Sequence, residues 1–210
     1  MSPPDEFTHD LMVLTADKAQ QAAVEALLRH RARDLGLPAL CFEVFRHPGY
    51  DCGVHVRAFE FLRPYLHTHR YALVIVDASW EGAPPATRIG ERIATGLQRN
   101  GWAGRSAVVV IDPETEAWCW VENAPAVASV LGVPWGELRR IGAETGHWQD
   151  GAPKPARPKE LFEAVLRRSG TKPSSRLFAD LAKSVPFSPC VDPAFALLRQ
   201  TLQRWFGRNP

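Results

Sequence analysis

The chain has 210 residues, a formal net charge of +2, 45% hydrophobic residues and 23% charged residues. This length fits one α/β domain with an appendage or two small domains, and the balance of apolar and charged residues excludes disorder of the whole chain. The longest apolar runs, Tyr71–Val76 and Ala107–Ile111, fall well short of the roughly 20 residues that span a bilayer.

Met1–Asp10 carries neither the basic nor the apolar region of a secretory signal and reads as a loose leader. Leu11–Leu14 predicts the first strand. Asp17 opens a helix in which Ala19, Ala22, Ala23, Ala26, Leu27 and Leu28 recur at helical spacing, and Gly36 stops it. Pro38–Phe45 predicts a second strand, closed by a turn at His47-Pro48-Gly49. Val54–Tyr65 has a helical apolar face. Tyr71–Asp77 and Ser106–Asp112 are continuous apolar runs ending in a carboxylate, the pattern of strands buried on both faces of a parallel sheet. Between them, Pro84–Asn100 predicts a helix. Glu114–Trp120 reads as a helix start, and short helices are expected at 123–131 and 135–141. Residues 151–158 hold three prolines and predict an extended connector. Lys159–Arg168, Ser174–Ser184 and Asp192–Phe206 have helical patterns, with Ser174 and Asp192 as N-caps and Pro193 at a first helical position. The expected organisation is a leader (1–10), an α/β domain (11–150), the connector (151–158) and a basic helical region (159–210).

The charge is unevenly spread. Residues 1–150 sum to −5 and residues 151–210 to +7. An acidic body suits a metal site, and a basic tail suits nucleic acid or an acidic partner, although basic helices are also often simply solvated. The four cysteines, Cys41, Cys52, Cys119 and Cys190, form no CxxC pair and read as reduced thiols of a cytoplasmic protein.

Strand-to-helix alternation predicts a doubly wound sheet, in which ligands bind at the carboxyl ends of the strands. Asp17, Asp77 and Asp112 fall at or just past such ends, followed by Glu114 and Glu116. Hard cations such as Mg²⁺ or Mn²⁺ take carboxylate ligands, and two of them can polarise a phosphodiester and activate water. Asp17, Asp77, Asp112 and Glu114 are the candidate metal ligands. Asp77, Asp112, Glu114 and Glu116 are the candidate catalytic acids. Each acid alone is equally well explained as a helix cap or as solvated surface. His67-Thr68-His69, with His47 and His55 nearby, reads as solvated loop histidines. The tryptophans read mainly as core or interface packing, with base stacking as the alternative. Phosphate-binding P-loop, dinucleotide and hydrolase-elbow patterns are absent.

Leu11–Lys18, Ala72–Asp77 and Val108–Trp118 resemble a bacterial Toprim-like defence family, akin to a split form of the overcoming-lysogenization-defect nucleases. Ile111-Asp-Pro-Glu-Thr-Glu-Ala-Trp118 is the most specific segment and is most similar to the small Toprim-like component of methylation-associated defence systems. Arg157-Pro-Lys159 and Ser188–Phe195 resemble the same family's closing helices. The resemblance implies a Toprim-like sheet of about four mainly parallel strands flanked by helices, with a C-terminal helical extension. It implies other defence-system proteins as partners, an ATPase among them, together with DNA or RNA, and allows a homo-oligomer. The short apolar runs imply no membrane partner. A catalytic Toprim domain places a Glu after its first strand and Asp-x-Asp after its third. Here those positions read Asp17 and Asp77-Ala-Ser79, with Glu81 in a different register. The implied protein is a subunit degenerate in its catalytic acids that acts by binding partners or nucleic acid. The alternative is a Mg²⁺-dependent nuclease or phosphoesterase.

Overall fold

A computed structural model describes residues 7–121, 125–186 and 190–207. Its elements, in order, are β1 (His9–Thr15), α1 (Lys18–His30), β2 (Phe42–Arg46), α2 (Tyr50–Leu62), β3 (His69–Asp77), α3 (Ala86–Leu97), β4 (Ser106–Ile111), α4 (Pro125–Leu131), α5 (Trp135–Glu144), α6 (Pro158–Ser169), α7 (Ser175–Ser184) and α8 (Pro193–Phe206). The four strands form one parallel sheet in the order β2-β1-β3-β4. The protein is thus α/β, with an all-parallel four-stranded sheet flanked by helices and closed by a C-terminal helix.

Parallel strands need helical crossovers, and those crossovers cover both faces. On one face Val24, Leu27 and Leu28 of α1 and Leu198 and Leu202 of α8 pack on Leu11, Val13, Leu73 and Ile75. On the other face Val54 and Leu62 of α2 and Ile89, Ile93 and Leu97 of α3 pack on Met12, Leu14, Val74 and Val76. This two-sided burial is why β1 and β3 read as unbroken apolar runs. A third apolar cluster joins α4 to α7 around Trp120, Trp148, Leu161 and Phe162, and Ala19 and Ala23 of α1 pack against it. Trp102, Trp120 and Trp148 are fully buried, which matches the packing role read for the tryptophans.

Several boundaries differ from the sequence reading. β1 starts at His9, because His9 pairs with His69 across the sheet before the apolar run begins. β2 starts only at Phe42. The segment after β4 is a single 3₁₀ turn, Thr115–Trp118, and not the start of a longer helix. Trp118 still packs on Phe195 there, and Ala117 is buried. Ser174 makes no side-chain cap, whereas Asp192 accepts from the backbone N–H groups of Ala194 and Phe195. The Pro-rich segment is anchored to the body. Lys154 Nζ donates to the Ala117 carbonyl at 2.8 Å and to Asp192 at 3.0 Å, and the Pro158 carbonyl accepts from Trp120 Nε1 at 3.0 Å. Residues 1–6 of the expected leader, residues 123–124 of the expected fourth-helix start and Ser188 and Pro189 of the closing segment lie outside the described residues.

Candidate functional site

Strand order reverses between β1 and β3, since α1 crosses one face of the sheet and α2 the other. This reversal opens a crevice at their carboxyl ends, where ligands bind in open α/β sheets. Asp17 follows β1 and Asp77 ends β3, so both stand at this point. Asp17 is the N-cap of α1, and its Oδ1 accepts from Gln20 N at 2.8 Å. Gln20 turns back on the strand. Its Oε1 accepts from Ala16 N at 2.9 Å, and its Nε2 donates to Asp77 Oδ1 at 2.8 Å. Thr115 Oγ1 donates to the same Asp77 oxygen at 2.9 Å. Asp51, in the first turn of α2, accepts from the Asp77 backbone N–H at 3.0 Å.

The result is a crowded acidic cluster. Burial, then the nearby charge of Asp51, pushes the Asp77 carboxyl well above the usual carboxylate range. Burial also raises Asp51, with Asp17 adding to it. Glu116 is pushed up to about 7, mainly by burial, with Glu114 and Asp17 contributing. Glu114 is raised by burial even though Lys159 Nζ sits 3.3 Å from its Oε2 and pulls it down.

Of the residues expected from sequence, Asp17 and Asp77 are linked through Gln20, and Glu114 and Glu116 reach the same neighbourhood from the 3₁₀ turn. Asp112 is exposed and makes no hydrogen bond or ion pair with the other four among the described residues. Asp51, Gln20, Thr115 and Lys159 are the members that sequence reasoning missed. Asp51 follows a Pro-Gly turn and enters the crevice from a helix, so no strand-end signal marks it.

The amino-terminal edge of the sheet holds a second cluster. Ligand atoms of His9, Glu43 and His69 lie within 4.8 Å of one another, and among the described residues no other trio of His, Cys, Asp or Glu does so. Two imidazoles and a carboxylate can hold a metal ion. His69 is 1% exposed, so it is not a solvated loop residue, and neither is His47 at 7%. Burial, then the neighbouring His9, holds the His69 imidazole below its ordinary value, while Glu43 pulls the other way.

Among the described residues four large apolar side chains are exposed, Tyr50, Val56, Val191 and Leu197, and none of them is a tryptophan. An open groove between α2 and α3 is lined by His55, Phe59 and the exposed Arg88, Arg92 and Arg99. No described helix is long and apolar enough to cross a membrane. No protein-family profile, curated protein or solved structure matches the chain.

Proposed function

We propose that the chain is a cytoplasmic Toprim-like subunit of a bacterial anti-phage defence system. It binds nucleic acid beside its partner proteins and is depleted in the acids that two-metal cleavage needs. The observation that carries this reading is how Asp77 is held: it is buried, and its Oδ1 is taken up by hydrogen bonds from Gln20 and Thr115 of the protein itself. A catalytic Toprim site needs ionised, paired carboxylates at that strand end, and here the second Asp is Ser79. The α2–α3 groove supports the binding role, because Arg88, Arg92 and Arg99 form no ion pair among the described residues and so keep their charge for phosphates. The defence context and an ATPase partner rest on the resemblance of Val108–Trp118.

The test combines binding and cleavage. Purified chain is mixed with labelled single-stranded DNA and RNA over a salt series, and with supercoiled plasmid in Mg²⁺ or Mn²⁺. Expected are salt-dependent binding, weakened in an Arg88→Ala/Arg92→Ala variant, and an intact plasmid. Failure to bind nucleic acid, together with no co-purifying protein from its own operon, would end the proposal.

One observation favours the second reading, a Mg²⁺- or Mn²⁺-dependent nuclease or phosphoesterase. Asp17 and Asp51 both raise Asp77, and Asp17 also raises Glu116. A divalent cation relieves such crowding, and an acid near 7 suits a general base toward metal-bound water. In that reading Asp17 and Asp77 hold metal with Glu114 and Glu116 beside them, and Asp112, exposed and unbonded to the other acids among the described residues, stays outside the set. Metal-dependent nicking lost in Asp77→Ala would establish it over the first.

A further inference from the structure

We infer that His9, Glu43 and His69 form a binding site for one zinc-class divalent cation that ties β2, β1 and β3 together at the amino-terminal edge of the sheet. This site is separate from the strand-end acids and does not depend on the nucleic-acid reading.

Two matched doublets, Thr8-His9 and Thr68-His69, are set side by side by the β1–β3 register. In each doublet the Thr hydroxyl lies 2.9 Å from the Nδ1 of its own histidine neighbour. A hydroxyl has one hydrogen to give. Thr8 donates its hydrogen to the Thr68 carbonyl at 3.2 Å, and Thr68 donates its own to the Tyr65 carbonyl at 3.3 Å. With those donations made, each hydroxyl is free to accept from its own ring, an arrangement that places a hydrogen on Nδ1 of His9 and of His69. In a neutral imidazole that tautomer leaves Nε2 as a lone pair.

The consequence is sharpest at His69. Its Nε2 is buried, makes no hydrogen bond, and lies 3.1 Å from Glu43 Oε2. A lone pair facing a carboxylate oxygen at that distance is repulsive. A proton on Nε2 would turn the contact into an ion pair, and a cation held by both atoms removes the repulsion with the ring neutral. The separation fits, since tetrahedral ligands about 2.0–2.2 Å from zinc lie roughly 3.3–3.5 Å from each other. The ligand atom of His9 lies within 4.8 Å of those of His69 and Glu43 and supplies the third donor, its ring stacked on that of His69 with centroids 4.6 Å apart. Imidazole nitrogens with one carboxylate select zinc and its borderline neighbours over Mg²⁺ or Ca²⁺. The Thr hydroxyls occupy the place that outer-sphere partners take at histidine–metal sites, fixing tautomer and ring orientation.

The three donors come from three adjacent strands, at the end of the sheet opposite the ligand crevice. The ion is thus a clamp on the start of β1. The side chain of Glu43 is 38% exposed and gives the ion a route in.

The test uses the full chain, free of any affinity tag and stripped with chelator. Zinc binding is read by competition with a chromophoric chelator, and thermal unfolding is followed with and without ZnCl₂. Expected are one zinc per chain and a rise in Tm with zinc but not with MgCl₂. Both effects should be lost in Glu43→Gln and His9→Ala and kept in His67→Ala, which removes an exposed histidine outside the trio. Thr68→Val should weaken zinc roughly tenfold. No zinc uptake, uptake unchanged in Glu43→Gln, or an equal effect of MgCl₂ would each overturn the inference. If His9→Ala does not fold, Glu43→Gln decides, because its side chain is part-exposed.

Discussion

At the carboxyl edge of the sheet, Asp77 is buried, its Oδ1 accepts from Gln20 and Thr115, and its backbone N–H donates to Asp51. At the amino edge, His69 is at least as buried, yet its Nε2 faces an acceptor with nothing between them. The first end has spent its acids on holding elements together. The second holds an unmet coordination demand. Crowding of like charge therefore does not by itself identify a cation site. What distinguishes the two ends is whether neighbouring donors already answer each buried atom.

The largest expected effect tests how far the carboxyl edge is structural. Asp192 accepts from Trp118 Nε1 at 3.1 Å, from Lys154 Nζ at 3.0 Å and from two backbone N–H groups at the start of α8. Asp192→Ala removes an N-cap and leaves Lys154 without its buried counter-ion. It should cost about 3–5 kcal/mol in urea unfolding, with the fluorescence of Trp118 reporting the release of α8. A loss near zero would mean that this end is not the tightly satisfied one.

Glu116 gives the next effect, with the opposite sign. Its carboxyl is pushed from the ordinary value to about 7, so folding favours the protonated form. The stability this gives is full below the unfolded value near 4.5 and is lost as pH rises through 7, and Asp77 acts in the same direction. Glu116→Gln should therefore stabilise the fold at pH 8 by about 3 kcal/mol and leave it nearly unchanged at pH 4.5. Equal effects at both pH values would show that Glu116 is not held neutral. Thr115→Val comes third. It removes one of the two donors to Asp77 Oδ1 and should cost about 1–2 kcal/mol. It should also raise the Asp77 carboxyl further, since the Thr115 hydrogen bond is what lowers it.

Much of this contrast could be read from residues, and the rest needed register. Tyr71–Asp77 was legible because a strand covered on both faces must be apolar throughout, and this one is. Asp17 and Asp77 followed from it, as acids at strand ends. Asp51 did not, because it arrives from the first turn of α2, 26 residues before Asp77, and helix starts are commonly acidic for reasons of their own. The histidine trio was hidden in another way. His69 looks like a loop residue until the pairing of β1 with β3 sets it against His9, and Glu43 comes from the edge strand β2. The Thr-His doublets, 60 residues apart, carry the signal only once that pairing is known. The turn after β4 was misread because Glu114 and Glu116 look like first-turn acids of a helix, whereas Trp120 instead turns away to bond the Pro158 carbonyl.

The smallest effect comes from Lys159, the cation beside Glu114. Lys159 lies 3.3 Å from Glu114 Oε2 with half its side chain in solvent, so Lys159→Ala should cost only about 0–1 kcal/mol. Its use is in titration. Lys159 lowers both Glu114 and Glu116, so its removal should move the pH at which stability falls upward while hardly changing stability below pH 4.5. Added Mg²⁺ then separates the two readings of the carboxyl edge. If the acids are purely structural, the shifted midpoint stays where Lys159→Ala put it. If they hold a metal, Mg²⁺ takes over the role of the lost ammonium and brings the midpoint back down.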